Sequence, residues 1–587
     1  MPGINRAKPD DPPDPQAAAE DAVVLTDEET QALIDEYDSE GAAQRLGGVW
    51  RYVAGGLAVL LSLYALYATR ETITTQVYRG AFLGFALVLT FLRFPTLKRW
   101  KGRVTPLDLG LAILSAIVCV YPTLDFAPVM LRDVFSLILP GGDYQEGFVY
   151  RAARPTSTDL WMGTLCVILV LEATRRTVGW ILPVFTVLLL AYGRWGDSIP
   201  GQYGHRGYDL ERMIGSLYIS LEGIFGVPLD VAATYIILFT VYGAVLEFSG
   251  AGKFFLDFSF AAMGRKAGGA GRTTTVAGFL LGTVSGSGVA TTVTLGSVAW
   301  PMLRRSGYDR ESGGAILSAA GIGAILSPPT LGAAAFLIAE ILEISYLEVL
   351  KMATIPTILY YLSIFLTIEL DSRKMGTRSV MIDAPPLKTL VFKYGYHFTS
   401  LIAIVWLMII GFTPITAVFW AIVLAFGLSF LRRGESAVSR RSIKALEAGA
   451  VGTLSVAATT ATAGIIVGIF TLTGLGLKMS DLIVELAGER LFFTVLLTAL
   501  AVWVLGLAVP VTASYIIAAA VTAPALITLG VPDTAAHMFI FYYAVLSEVS
   551  PPTALSPFAA AAITGGNPFK TMTVSYTHLT LPTKRIV

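Results

Sequence analysis

Long stretches of apolar residues recur along this 587-residue chain and constrain its fold more than any other feature. A helix that crosses a bilayer needs about 20 mainly apolar residues. Runs that meet or approach this length before residue 200 cover 52–69, 77–92, 108–123, 159–173 and 178–193. With 54% hydrophobic and 14% charged residues, the chain carries more apolar surface than one soluble core can bury. The sequence therefore predicts an all-α polytopic membrane protein, for which the lipid bilayer is part of the solvent.

The charged residues between these runs predict the orientation of the chain. Five basic residues lie between positions 93 and 103, and Arg175 and Arg176 follow the fourth run. Loops rich in Lys and Arg stay on the cytoplasmic side of a membrane, so these loops and the N-terminus are predicted to be cytoplasmic. The segment from 124 to 158 is then predicted to be an external loop.

Residues 1–47 differ in composition from the rest of the chain, with twelve acidic residues against three basic ones. They lack the basic start and apolar stretch of a signal peptide, and their Pro-rich, acidic character is typical of disordered segments. We predict a mostly disordered cytoplasmic tail. Within it, Thr26 and Glu29 have the spacing of a capping box, which predicts one short helix that includes Leu33 and Ile34.

Small and polar residues interrupt the apolar runs twice, in matching order. The first set is LGTVSGSGVATT at 281–292 and LSPPT at 326–330, and the second is LGLAVPVTAS at 505–514 and VSPPT at 549–553. Each Ser-Pro-Pro-Thr tetrapeptide follows a broken apolar hairpin, and such repetition indicates an internal repeat. We assign residues 201–431 to the first repeat with its linking helices and residues 432–570 to the second.

The charges that flank the two hairpins predict opposite orientations in the membrane. The first hairpin is flanked by basic residues, so it enters and leaves from the cytoplasm. The second has mainly acidic residues around it and follows a basic loop, so it enters from outside. The flanking residues are Lys253, Arg265, Lys266, Arg272, Arg304, Arg305 and Arg310 for the first, and Asp481, Glu485, Glu489 and Asp533 for the second. The sequence thus predicts inverted repeats.

Two consecutive prolines must open a helix, because proline lacks an amide donor and clashes with the carbonyl four residues back. Pro328 and Pro329 therefore predict a break that exposes carbonyl groups. One interpretation is an ordinary kink satisfied by hydroxyls and neighbouring helices. The repetition of the motif favours a functional break instead, in which unwound carbonyls coordinate Na⁺.

These paired motifs resemble the large membrane subunit of tripartite ATP-independent periplasmic (TRAP) transporters. The N-terminal helices at 48–200, joined to that domain in one chain, resemble the small subunit fused to the large one in the TAXI branch. The resemblance covers roughly residues 48–570. It implies an elevator-type carrier with two re-entrant hairpins and two broken helices, in a bacterial or archaeal cytoplasmic membrane. It also implies Na⁺-coupled uptake of a small organic acid that a soluble TAXI-type periplasmic binding protein delivers.

Transferred position by position, the family pattern implies two Na⁺ sites built from carbonyls and hydroxyls. The first would use Ser285, Gly286, Ser287, Gly288, Ser327, Pro328 and Thr330. The second would use Pro510, Thr512, Ser514, Ser550, Pro551 and Thr553. An anionic substrate would lie between the hairpin tips near Thr291, Thr292 and Thr512, facing helix N-termini whose dipoles favour negative charge. These stretches contain no arginine, so the resemblance identifies no carboxylate clamp.

Other classes of function have less support in the sequence. A channel remains an alternative, because broken helices can also build a selectivity filter. A membrane-embedded enzyme would need clustered acidic or histidine residues, whereas the four histidines are scattered and two cysteines lie in apolar runs as expected of small buried residues. Lys plus Arg equal Asp plus Glu at 42 each, which gives no indication of nucleic-acid binding. Among the acidic residues Glu222, Glu247, Glu340 and Glu548, we single out Glu548 because it precedes the second break by two positions.

The C-terminal residues 571–587 depart from the family pattern. The first Ser-Pro-Pro-Thr motif is followed by a long apolar span at 349–370, whereas no comparable span follows the second. Residues 575–583 read as neither helix nor loop of this architecture. We expect this polar tail to be truncated or non-native.

Overall fold

The computed structural model describes residues 26–37, 43–44, 46–97, 100, 102–126, 148–263, 268–379, 385–430, 438–507, 509–551 and 554–579. Every regular element within these ranges is a helix, as predicted. In chain order the helices are α1 (Asp27–Tyr37), α2 (Gly48–Ala68), α3 (Thr75–Arg93), α4 (Pro106–Val120), α5 (Ser157–Val178), α6 (Ile181–Trp195), α7 (Leu210–Ile214), α8 (Val227–Val231), α9 (Ile237–Ser249), α10 (Ala251–Met263), α11 (Gly269–Ser285), α12 (Gly288–Ser306), α13 (Arg310–Leu326), α14 (Ala333–Ile341), α15 (Tyr346–Met375), α16 (Leu387–Tyr394), α17 (His397–Ile409), α18 (Pro414–Ser429), α19 (Val438–Thr473), α20 (Leu475–Leu486), α21 (Leu491–Gly506), α22 (Val511–Thr528), α23 (Asp533–Val545), α24 (Leu555–Thr564) and α25 (Pro568–Leu579). A π-helical turn over Ala232–Ile236 joins α8 to α9.

Eight helices in the described ranges are long and apolar enough to cross a membrane, and α16 with α17, bent by 64°, adds a ninth if counted as one span. The eight are α2, α3, α4 extended to Leu124, α5, α8 with α9, α15, α19 from Arg441, and α22. Four of the five runs predicted before residue 200 are confirmed as spans. The fifth run forms α6, which has only 15 residues and is not among the helices long enough to cross a membrane. The chain is therefore a multi-pass membrane protein. Residues 127–147 of the predicted external loop lie outside the described ranges.

Helix α19 packs against most of the other candidate spanning helices. Small residues along it bring neighbouring backbones close: a Cβ on Gly449 would lie 2.6 Å from Cα of Val241, and one on Gly464 would lie 2.4 Å from the carbonyl oxygen of Gly223. Close backbone approach gains van der Waals contact, which drives helix association in lipid. The helices that pack against α19 are α2, α3, α5, α6, α8, α9 and α22.

Two buried ion pairs involve the capping residues of α4 and α5, and the first of them joins these two helices. Asp108 completes the capping box of α4 and Asp159 that of α5. Arg176 Nη1 lies 2.7 Å from Asp108 Oδ1, and Arg151 Nε lies 3.0 Å from Asp159 Oδ2. Because both partners of each pair are almost fully buried, removing one would leave an uncompensated charge. Arg176, which we interpreted as a topology determinant, thus also has a structural role inside the bundle.

The two predicted repeats show the same order of elements. In the first, α11 and α12 form a hairpin, and α13 and α14 form an interrupted helix. In the second, α21 and α22 form the hairpin, and α23 and α24 the interrupted helix. The second half of each interrupted helix packs on the other repeat: α14 contacts α22 and α23, whereas α24 contacts α12 and α13. The two units are therefore interlocked.

The predicted short helix in the acidic tail is confirmed as α1. The backbone N–H and the hydroxyl of Thr26 donate to Glu29 Oε2 at 2.8 and 2.9 Å, and the Glu29 N–H donates to Thr26 Oγ1 at 3.3 Å. The hydrogen bonds that Glu29 accepts hold its pKa below the usual value, and the bond from the Thr26 backbone has the larger effect. The cap is thus complete at neutral pH and is lost only as the pH falls through that lowered value. Residues 1–25, 38–42 and 45 lie outside the described ranges.

At the C-terminal end, residues 568–579 form helix α25, so the prediction of a non-helical segment is wrong for residues 575–579. Polar residues are compatible with this helix because their hydroxyls donate to carbonyls one turn earlier: Thr573 donates to Phe569 at 2.9 Å and Ser575 to Thr571 at 2.9 Å. The helix packs on α13 and α15. Residues 580–587 lie outside the described ranges.

We expect Gly464→Ala to destabilise the protein by about 1–3 kcal/mol, because the added methyl group would meet the backbone of Gly223 and push the turn that contains it away from α19. Gly452→Ala is the matched control on the same helix, since nothing lies within 4 Å of its added Cβ. Thermal unfolding in detergent measures both variants. Equal melting temperatures would show that α19 is not tightly packed at Gly464.

Candidate functional site

The tip of the first hairpin is a two-residue turn built from the predicted Ser-Gly-Ser-Gly segment. Gly286 has φ of +65°, a left-handed conformation that glycine adopts without strain. Ser287 caps α12 by accepting a hydrogen bond from the N–H of Ala290 at 3.2 Å. Ser285 is exposed, whereas Gly288 is buried. These four residues lie together as predicted, and the Ser287 hydroxyl already has a structural role.

The first interruption lies between α13 and α14, where the Pro328–Pro329 pair stops the helix. Neighbouring hydroxyls satisfy carbonyls that the break frees: Thr357 donates to Leu326 at 2.7 Å, and Tyr346 donates to Pro329 at 3.1 Å. Both donors belong to α15. The interpretation as a kink satisfied by neighbouring helices therefore holds for these carbonyls, each of which keeps a second lone pair that could coordinate a cation.

Two residues of the predicted first Na⁺ site join the break to the hairpin. Thr330 Oγ1 donates to the carbonyl oxygen of Thr283 at 2.6 Å, two residues before the hairpin tip. Ser327 Oγ donates to the Gly323 carbonyl at 2.5 Å and lies 2.9 Å from the hydroxyl of Tyr361. Ser327 is fully buried and Thr330 is 6% exposed. The structure thus brings the two halves of the predicted first set together.

The second unit repeats this arrangement with different donors. Trp503 Nε1 donates to Ser550 Oγ at 2.9 Å, which joins the second hairpin to the second break. Ser514 Oγ donates to the Val509 carbonyl at 3.0 Å within the hairpin tip, and Pro510 immediately precedes α22. Ser550 and Ser514 are fully buried, and Pro551 is half-buried. Thr553 lies outside the described ranges.

Ser556 connects the two predicted sets, and sequence reasoning missed it. A Cβ on Gly288 would lie 3.3 Å from Ser556 Oγ, and this hydroxyl donates to Glu548 Oε2 at 3.3 Å. Glu548 is the one charged residue in the sequence stretches 281–292, 326–332, 505–514 and 546–553. Through Ser556, the Glu548 carboxylate beside the second break is linked to the tip of the first hairpin. The only sequence signal was the position of Ser556 three residues after the repeated tetrapeptide.

The three threonines predicted to bind substrate have different environments. Thr292 Oγ1 donates to the Gly288 carbonyl at 2.8 Å and packs on Gly321, so its hydroxyl serves the hairpin itself. Thr291 is 1% exposed, and its hydroxyl has no hydrogen-bond partner among the described residues. Thr512 is 4% exposed at the start of α22. A buried unpaired hydroxyl costs free energy, so Thr291 differs from Thr292, whose hydroxyl is satisfied within the hairpin.

The remaining acidic residues do not form a catalytic or metal cluster in the described part of the chain. Glu222 and Glu247 are exposed, and Glu340 is half-buried. No three His, Cys, Asp or Glu side chains of the described residues come together in a way that could hold a metal ion. The oxygen atoms gathered at the two breaks are mainly neutral carbonyls and hydroxyls, which are ligands for hard cations.

A known protein family matches most of this chain. Residues 165–583 match the family described as the tripartite ATP-independent periplasmic transporter, DctM component. The chain belongs to this family. This match begins inside α5. Helices α2, α3 and α4 of this TRAP permease therefore precede the matched residues.

Curated relatives match over shorter stretches. The C4-dicarboxylate TRAP transporter large permease protein DctM of Pseudomonas aeruginosa is 34% identical over 93 residues, 16% of this chain and 22% of that protein. Its counterpart in Rhodobacter capsulatus is 33% identical over 93 residues, 16% of this chain and 21% of that one. The 2,3-diketo-L-gulonate TRAP transporter large permease protein YiaN of Escherichia coli is 28% identical over 109 residues, 19% of this chain and 26% of that protein. The chain thus spans about a quarter or less of these relatives' length.

We expect Thr330→Val to destabilise the permease by about 1–3 kcal/mol, because valine keeps the shape but leaves the buried Thr283 carbonyl without its donor. Thr354→Val is the matched control, since the Thr354 hydroxyl only donates to Leu350 in its own helix, at 2.7 Å. Thermal unfolding measures the difference. If both variants melt alike, the bond between break and hairpin contributes no stability.

Proposed function

We propose that this chain is the permease of a TRAP transporter that imports a small organic acid in symport with Na⁺ by an elevator-type mechanism. Membership of the DctM family supports the class of protein. The observation that carries the proposal is the pairing of each interrupted helix with its hairpin, by Thr330 with Thr283 and by Trp503 with Ser550. In this proposal the hairpins and interrupted helices form the moving unit.

The coupling ion in this proposal is Na⁺, bound as cargo at the two breaks. The first site would use the oxygen atoms of the predicted set around Ser327 and Thr330, and the second those around Ser550 and Ser514. Support comes from the chemistry of the donors, because neutral carbonyls and hydroxyls fit a hard monovalent cation. Glu548 would add one negative charge close to the second site.

The substrate in this proposal is a small carboxylate. The relatives are named for C4-dicarboxylates and for 2,3-diketo-L-gulonate, which all carry carboxylate groups. The N-termini of α12 and α22 follow directly after the hairpin tips, and helix N-termini attract anions. Thr291, Thr292 and Thr512 would lie beside the substrate, with the free hydroxyl of Thr291 as the first candidate.

The proposal also includes a soluble TAXI-type binding protein that delivers the substrate, and a cytoplasmic membrane with the N-terminus inside the cell. The N-terminal helices α2 to α5 would be a fused small subunit that enlarges the static part. Their packing on α19 supports one rigid unit. The basic residues after α3 and at the end of α5 support the orientation.

Uptake into proteoliposomes tests this proposal. With the cognate binding protein present, labelled carboxylates should accumulate against their gradient when a Na⁺ gradient is applied, and should not accumulate without it. Saturable accumulation would exclude a channel, which only dissipates gradients. Uptake that is unaffected by removing Na⁺ or the binding protein contradicts the proposal.

The site assignment has its own test. Ser327→Ala with Thr330→Ala should raise the Na⁺ concentration needed for half-maximal uptake by roughly tenfold or more, since two oxygen ligands worth about 1.4 kcal/mol are lost. The control is Thr354→Ala, which lies on α15 outside the predicted set. Unchanged Na⁺ dependence in the double variant removes Ser327 and Thr330 from the ion site.

A further inference from the structure

Helix α1 packs its apolar face on α12 of the first hairpin and on α24 of the second interrupted helix. Both elements border the candidate site. Leu33, Ile34 and Tyr37 lie on one face of this helix, as their spacing requires. They pack against a small cluster around Val289 and Val293. The opposite face carries Ala32, which is exposed. The acidic tail therefore contains an amphipathic helix that binds the rest of the protein.

The surface that α1 covers borders both predicted sets of site residues. Val289 follows Gly288 of the first hairpin tip directly, and Leu555 lies two positions after the second Ser-Pro-Pro-Thr motif. Val289 belongs to the cluster against which α1 packs, together with Ala559 of α24, and Leu555 and Ile563 of α24 pack against the same cluster. A single short helix thus contacts elements from both repeats at the place where they meet.

The chain after α1 is attached to the N-terminal helices. The Gln44 N–H donates to the Arg93 carbonyl at 2.9 Å, its side-chain amide donates to Leu92 at 3.2 Å, and its Oε1 accepts from the N–H of Gly102 at 2.7 Å. Gln44 is buried, so this point is fixed to the end of α3. Six residue steps separate Tyr37 from the described residue Ala43, which limits their Cα atoms to at most about 22 Å apart.

We propose that α1 is an intramolecular latch, which ties the hairpin and interrupted-helix unit to the N-terminal helices and slows its movement. The inference rests on the proposed function, because that function requires the unit to move. When the unit moves further than the short connection allows, α1 must leave its surface. The bound segment is residues 26–37 of this chain, and its surface is the cluster around Val289, Val293 and Ala559.

The length of α1 makes its folding depend on this contact. Helices shorter than about 12–15 residues are marginal in water on their own, and α1 has 11. The Thr26–Glu29 capping box lowers the cost of the first turn, and the packed apolar face provides the remaining stabilisation. Release of α1 is therefore coupled to loss of its helical structure, so binding and release can respond to modest changes in free energy.

Photo-crosslinking in native membranes tests whether α1 binds this surface. Benzoylphenylalanine in place of Tyr37 should crosslink to peptides from residues 289–293 or 555–563, identified by mass spectrometry. The same amino acid in place of Ala32 is the control, because Ala32 points away, and it should not give these products. Crosslinks that are equal from both positions, or that fall elsewhere in the chain, overturn the proposal.

Uptake tests the effect of the latch. Leu33→Asp with Ile34→Asp should raise the initial rate of uptake about fivefold, which corresponds to about 1 kcal/mol at 25 °C. Ala32→Asp adds a negative charge on the exposed face and should leave the rate unchanged. A double variant that transports at the wild-type rate or more slowly, with the Tyr37 crosslink lost, overturns the latch.

A distance measurement separates this inference from the proposed function. Spin labels at Val298→Cys on α12 and Leu60→Cys on α2 report the separation of the two units, since both side chains are exposed and the native cysteines are buried. The latch predicts a broader distance distribution in the Leu33→Asp, Ile34→Asp variant than in the Ala32→Asp control. If the wild type shows no Na⁺-driven uptake, the proposed function fails, and equal distributions in this measurement would independently contradict the latch.

Discussion

The interrupted helices of this permease depend on hydrogen-bond donors that come from elsewhere in the chain. Lipid offers no donor to a carbonyl freed by a proline, so an unpartnered break at membrane depth would be prohibitively costly. At the first break, hydroxyls of Thr357 and Tyr346 from α15 satisfy two carbonyls, and Thr330 connects the break to its hairpin. The hydroxyl oxygens at the break are thus required to satisfy its carbonyls. The same oxygen atoms make an ion site chemically possible.

Much of this architecture could be predicted from the sequence, because the signals are local or repeated. Apolar length predicted four of the first five spans, the Ser-Pro-Pro-Thr repetition predicted two matching units, and the Thr26–Glu29 spacing predicted α1. Contacts between distant segments could not be predicted. Nothing local shows that Ser556 faces Gly288, that Trp503 donates to Ser550, or that Arg176 is buried against Asp108. The helix at 568–579 was also missed, because its polar residues bond to their own backbone.

Helix α19 joins the N-terminal helices to the repeats, and its small residues explain how one helix can contact so many others. Each glycine that faces a neighbour removes the side chain that would hold the backbones apart, as Gly449 and Gly464 do. Lipid gives little incentive for helices to associate through apolar area alone, so close contact and a few hydroxyl bonds carry the interface. As a consequence, a single methyl group added at such a glycine would disturb the packing of several helices.

The exchange of half-helices between the repeats has a consequence for how the chain is made. Helix α14 packs on α22 and α23, which are synthesised long after it, and α24 packs on α12 and α13, which are synthesised long before it. The surfaces of α12, α13 and α14 that contact the second repeat therefore stay uncovered until α22 to α24 have been made. The carbonyls at the first break already have partners in α15, but neither repeat can complete its packing without the other.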